Sequence, residues 1–173
     1  MHKFAFAILL FVAAAPAFAQ GPPHFGMAAD PARIKAWDIS IAPDGTGLPP
    51  GKGSVAEGLA IYSQKCVMCH GVDGAGKPAD RLTGGIGTLS SPAPVKTVAS
   101  YWPYATTLFD YIRRAMPVAT PRTLTDHETY ALVAYILSID GIVKKDAILD
   151  AKSLPIIRMP NRDGFIDESA KTH

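Results

Sequence analysis

Cys66-Val67-Met68-Cys69-His70 decides how this chain is read. Two thiols three positions apart, followed at once by an imidazole, form the attachment pattern for c-type haem. The chemistry explains the spacing: two sulfurs add to the two vinyl groups on one edge of a porphyrin, and the adjacent His70 is swung beneath the ring to bind iron as the proximal ligand. A zinc site would need two further Cys or His ligands at a matching spacing, and the other histidines, His2, His24, His127 and His173, form no such cluster. A redox dithiol is the nearer rival. It does not need the histidine, however, and no thioredoxin-like alternation of strands and helices surrounds the pair.

Upstream of the motif, Ser54 followed by Glu57 is a capping box, in which hydroxyl and carboxylate each satisfy a free backbone N–H and open a helix. Val55, Leu59, Tyr62 and Cys66 fall on one helical face, so the face that packs the core also delivers the first cysteine. Gly58 lies inside this helix, where glycine costs roughly 1 kcal/mol against alanine, and its presence implies that another backbone or ring comes close. Further upstream, residues 20–53 read as a Pro- and Gly-rich extended arm. Within it Ile34, Trp37, Ile39 and Ile41 alternate in a way that predicts burial of Trp37 against the domain. Gln20 to Ala29 reads as a disordered tail.

Downstream, the run from Gly71 to Pro78 and then Gly84-Gly85-Ile86-Gly87 cannot be regular structure and reads as a loop of the haem pocket. It is not a phosphate loop, because no Gly-Lys-Ser/Thr ending is present. A ligating histidine holds its second ring nitrogen on a carbonyl, and Pro78 is the nearest candidate to supply it. Tyr101-Trp102-Pro103-Tyr104 is an aromatic cluster that reads equally as core or as haem wall. In the second reading an indole N–H or a phenol reaches a propionate, and Arg81 or Lys96 helps to neutralise it. Leu108, Tyr111, Ile112 and Ala115 make a short amphipathic helix that Pro117 stops, releasing Met116 at its end. A second capping box, Thr125 with Glu128, opens the longest helix, striped by Leu132, Tyr135, Ile136 and Ile139 and stopped by Gly141. Residues 142–173 read as a turn-rich arm anchored by Ile156, Ile157 and Phe165, disordered from Asp167.

At the start of the chain, Lys3, the apolar run from Phe4 to Ala15, and Ala17-Phe18-Ala19 read as a secretory signal peptide with cleavage expected after Ala19, an uncleaved anchor being the alternative. The apolar run is too short to span a bilayer, and nothing later reaches the roughly 20 residues needed, so no membrane span is expected in the mature chain. The formal net charge of the whole chain is +2. Removing Lys3 leaves 16 basic against 15 acidic side chains, which excludes strong basic steering toward nucleic acid. Roughly 150 mature residues with one haem motif fit a single domain.

Gly58 and Tyr62 before the haem motif, Met116 beyond it, and Ala134-Tyr135-Ile136-Leu137 in the last helix resemble class I cytochrome c over residues 54–141. The resemblance implies an all-α, class I cytochrome c fold with extended N- and C-terminal arms, one covalent haem c, and a helix crossing at which Gly58 and Tyr62 meet Tyr135. It also implies Met116 as the distal ligand, because that family places the ligand before the last helix. Met159, the rival, lies beyond that helix; Met68 sits inside the haem motif and Met27 in the arm. Bacterial covalent haem attachment outside the inner membrane implies a periplasmic location.

A closer likeness lies in Asp44-Gly45-Thr46-Gly47-Leu48-Pro49-Pro50-Gly51, Ser100-Tyr101-Trp102-Pro103-Tyr104-Ala105-Thr106-Thr107, Tyr111-Ile112-Arg113-Arg114-Ala115-Met116-Pro117 and Met159-Pro160-Asn161-Arg162. These resemble the cytochrome subunits and partners of bacterial sulfite dehydrogenases and of the sulfane dehydrogenase of thiosulfate oxidation. The likeness implies a one-electron carrier that accepts electrons from a molybdenum enzyme, sulfite dehydrogenase first and sulfane dehydrogenase as the alternative, and passes them to a cytochrome or oxidase. Any sulfur chemistry then belongs to the partner, and Arg113 and Arg114 are expected on the docking surface. The opposing class is a haem enzyme or sensor with an open distal position.

Overall fold

The computed structural model describes residues 25–168. The expected signal peptide, the residues up to His24 and the last five residues lie outside them. Six α-helices are described, α1 (Pro31–Trp37), α2 (Val55–Lys65), α3 (Val67–His70), α4 (Val98–Tyr101), α5 (Ala105–Ala115) and α6 (Asp126–Ile139), together with a single 3₁₀ turn at Val72–Gly74. A two-stranded antiparallel ribbon joins β1 (Lys52–Ser54) to β2 (Ile148–Asp150), with Gly53 opposite Leu149.

The core is built around α6. Every residue from Thr129 to Ser138 is buried, so the expected stripe is in fact a helix enclosed on all sides, by α2, α5 and the ribbon. Both capping boxes form as the sequence requires. The Ser54 Oγ accepts from the Glu57 N–H while Glu57 accepts from the Ser54 N–H, and Thr125 and Glu128 repeat the exchange.

The crossing of α2 over α6 explains Gly58. A Cβ at that position would run into the Ala131 carbonyl and stand 2.7 Å from the Tyr135 Cβ. The inward line of α2 is therefore Val55, Gly58 and Tyr62, and Leu59, expected on that line, is half exposed. Tyr62 meets Tyr135 with ring centroids 5.1 Å apart.

Two expectations about the arms are corrected. Trp37 is 72% exposed rather than buried. Asp30 caps a helix, accepting from the Ala32 N–H at 2.9 Å, and Pro31 starts it, so Ile34 and Trp37 lie one helical turn apart instead of alternating along a strand. Only beyond that helix does the arm reach the domain, where Ile41 and Leu48 pack against the core. In the C-terminal arm Ile156 is 81% exposed and Phe165 half exposed. Ile157, the third expected anchor, does pack partly buried against the core, and the buried anchors beside it are Leu149, Leu154 and Met159. The arm is drawn in by its pairing with β1, which turns Leu149 toward the core, while the exposed Phe165 rests edge-on against Tyr101 at 5.2 Å.

Glu128 also ties α6 to α2, because its second carboxylate oxygen accepts from Lys65 Nζ. This bond, then the Thr125 N–H, holds its pKa below the ordinary glutamate value. A group depressed in the folded state contributes stability that is present above the unfolded pKa, near 4.3, and is lost as pH falls through the lower folded value. Glu128→Gln should cost about 1 kcal/mol at pH 7, and the gap in melting temperature from the parent protein should narrow as pH falls below about 4. A gap independent of pH would assign the loss to packing alone.

Candidate haem site

The site begins where α2 ends. The Cys66 N–H still bonds the Tyr62 carbonyl at 2.9 Å, and the single turn of α3 follows with the His70 N–H on the Cys66 carbonyl at 3.0 Å. One turn of helix thus carries both cysteines and the histidine. Both thiols are free, Cys66 partly buried and Cys69 exposed. Burial pushes the Cys66 thiol up to about 11. A redox dithiol needs the opposite, a thiol poised as thiolate near neutral pH.

The His70 Nδ1–H donates to the carbonyl of Asp80 at 3.1 Å. A carbonyl can only accept, so the proton sits on Nδ1 and the lone pair of Nε2 is left for a metal. The expected partner, Pro78, is displaced by two residues. Lys77 and Ala79 close a tight turn around it, with the Lys77 N–H on the Ala79 carbonyl at 2.7 Å, while the Ala79 N–H bonds the Cys69 carbonyl at 2.9 Å. Pro78 itself is exposed at the tip, and the returning limb brings Asp80 to the imidazole.

Met116 caps α5, its N–H on the Ile112 carbonyl at 3.0 Å, in extended backbone conformation and only partly buried against the core. Met159 is 1% exposed and packed among core side chains, whereas Met68 and Met27 are almost fully exposed. The aromatic cluster is half-buried, with Trp102 packed against the core and Tyr101 and Tyr104 facing the C-terminal arm. Tyr101 carries Lys96 over its ring and Phe165 at its edge, Trp102 packs edge-on to Tyr111 at 5.6 Å, and Tyr104 is covered by the Arg162 guanidinium at 4.0 Å. The Asn161 side chain donates to the Tyr101 carbonyl at 2.7 Å. Arg81 is exposed. Arg113 and Arg114 are paired within the chain, to Asp126 at 2.8 Å and to Asp110 at 2.7 Å, so neither presents an uncompensated charge for docking.

The residues fit a covalent haem: two free thiols one turn apart, and beside them an imidazole whose second-nitrogen tautomer is already set for iron. The chain belongs to the cytochrome c family, whose family model, described as Cytochrome c, matches residues 55–140. With the family come covalently attached haem c and electron transfer.

Among solved structures, the chain is similar to one chain of the crystal structure of the sulfane dehydrogenase SoxCD from Paracoccus pantotrophus. The two are 41% identical with a TM-score of 0.78, over 87% of this chain and 75% of that one. A search of curated proteins found no match. No helix among the described residues is long and apolar enough to cross a membrane.

Proposed function

We propose that this chain is a periplasmic monohaem cytochrome that accepts single electrons from a molybdenum-containing sulfane dehydrogenase and hands them to a further cytochrome or oxidase. The observation that carries the reading is the extent of the likeness to SoxCD. It covers 87% of the chain, well beyond the 86 residues of the family match, so the arms share in it as well as the haem-bearing part. That likeness favours a sulfane over a sulfite dehydrogenase as donor.

In this reading residues 54–141 carry the haem, and residues 20–53 and 142–173 are arms around it. Cys66 and Cys69 hold the porphyrin by thioether bonds, His70 Nε2 is the proximal donor, and Met116 supplies the distal thioether. Haem supplies a one-electron couple when bound. The chain's own residues do the rest. The Asp80 carbonyl fixes the imidazole tautomer, and burial of Met159 in the core leaves Met116 as the methionine at a partly open helix end. Near-zero net charge, with Arg113 and Arg114 compensated inside the chain, calls for docking by local fit, and reduction rates should depend only modestly on salt.

The test uses the chain matured with haem. Colour should remain with the polypeptide on a denaturing gel and after acid acetone, and a molybdenum dehydrogenase should co-purify from the native source. In stopped flow, that enzyme with its sulfur substrate should reduce the haem, while substrate alone should not. Loss of haem to acid acetone would sink the covalent assignment, and reduction by a different periplasmic dehydrogenase in place of this one would sink the donor.

A further inference from the structure

The helix crossing carries two hydroxyl groups that its packing does not use. Tyr62 and Tyr135 are buried ring against ring, and two phenylalanines would fill the same space. Yet both hydroxyls reach beyond the crossing into the one turn that follows His70. Tyr62 donates to the Gly71 carbonyl at 2.9 Å, and Tyr135 donates to the Asp73 carboxylate at 2.9 Å. Burial raises the pKa of both hydroxyls, that of Tyr62 to about 12, so both stay protonated donors across the working range.

That turn runs through three near-successive residues at positive φ, Gly71, Asp73 and Gly74, with φ of 72°, 51° and 70°, and Asp73 stands in this left-handed region with a side chain. It is held from both sides. Tyr135 grips the Asp73 carboxylate, and the Thr83 hydroxyl donates to the Asp73 carbonyl at 2.7 Å. The Leu82 N–H donates to the Gly74 carbonyl at 2.8 Å and closes the loop. Asp80 rides on that same loop, and its carbonyl is the acceptor for His70 Nδ1–H.

We propose that Tyr62 and Tyr135 are positioning residues for His70: their hydroxyls hold the turn at residues 71–74 and thereby set where the Asp80 carbonyl stands against the imidazole. The inference rests on the reading of His70 as the proximal ligand. A carbonyl held close to Nδ1–H makes the imidazole a more basic ligand, which favours ferric iron; a carbonyl allowed to recede favours ferrous. The crossing therefore sets the potential as well as the fold.

The test compares haem-loaded variants by midpoint potential and by the iron-shifted ring resonances of His70. Tyr62→Phe and Tyr135→Phe should raise the potential, changing the ferrous-to-ferric ratio at fixed ambient potential by up to about tenfold, and should move the Nδ1–H resonance. Tyr130→Phe is the control. It removes an equally buried hydroxyl from the same helix, but that hydroxyl donates to the Pro49 carbonyl at 2.8 Å, far along the chain from the turn. It should lower stability with neither readout moved.

Asp73 is exposed, so Asp73→Ala leaves the core filled and carries the test should the tyrosine variants fail to mature. It should follow Tyr135→Phe, while Asp73→Asn, which keeps an acceptor oxygen, should stay near the parent. Unmoved potential and resonance in the tyrosine and Asp73→Ala variants, or an equal shift in Tyr130→Phe, would overturn the inference alone. Absence of iron-shifted His70 signals from the parent protein would overturn the ligand reading and this inference with it.

Discussion

Gly58→Ala should lower the melting temperature by roughly 4 to 8 °C, a net loss of about 2 kcal/mol. Two effects oppose each other at this position. Helix propensity favours alanine by roughly 1 kcal/mol. Against it, the new Cβ would overlap the Ala131 carbonyl and stand 2.7 Å from the Tyr135 Cβ, and a backbone carbonyl inside α6 cannot rotate away as a side chain could. Ordinary overpacking costs about 1 to 3 kcal/mol, and contact with backbone belongs at or above the upper end. The contact wins, and α2 must lift from α6. Ala60→Leu on the same helix is the comparison, because Ala60 is exposed and larger residues meet nothing there. Calorimetry on the two haem-loaded variants decides the matter: an unchanged midpoint for Gly58→Ala would mean that the helices do not approach as described.

The parts of the fold legible from sequence are those whose physics is local. A capping box spans three residues and needs no knowledge of the rest of the chain, so Ser54 with Glu57 and Thr125 with Glu128 mark the starts of α2 and α6 correctly. Gly58 announces a close approach because it is costly where it stands. Cys66, Cys69 and His70 lie on one turn of helix, and their spacing alone brings the thiols and the imidazole together.

What could not be read depends on the path of the chain in space. Whether Pro78 or Asp80 offers its carbonyl to His70 turns on how the loop returns, which composition does not encode. The pairing of Gly53 with Leu149 joins strands of three residues nearly a hundred positions apart, too short for any periodicity. The hydroxyls of Tyr62 and Tyr135 were visible as residues, but their acceptors were not. Trp37 is a different case, since the signal was present: Asp30-Pro31 is an N-cap followed by proline at the first helical position, and it outweighs the apparent alternation of Ile34, Trp37 and Ile39.

Met116→Ala should abolish the near-infrared sulfur-to-iron band and lower the midpoint potential by roughly 0.1 V or more, a modest part of the ~0.8 V that axial ligands span. A thioether is a soft, weakly basic donor that favours ferrous iron, so removing it shifts the balance toward ferric. The expectation belongs to Met116 because of where the chain puts it. α5 stops there, its N–H still bonded to Ile112, and the residue turns into extended conformation at the edge of the core. Met159 has no such freedom. At 1% exposure it is an anchor of the C-terminal arm, and Met159→Ala should instead cost about 2 to 5 kcal/mol by leaving a cavity, with the band retained. The two variants thus separate along different axes, spectrum and potential for one, stability for the other. Loss of the band in Met159→Ala and its survival in Met116→Ala would exchange their roles and place the distal ligand on the arm.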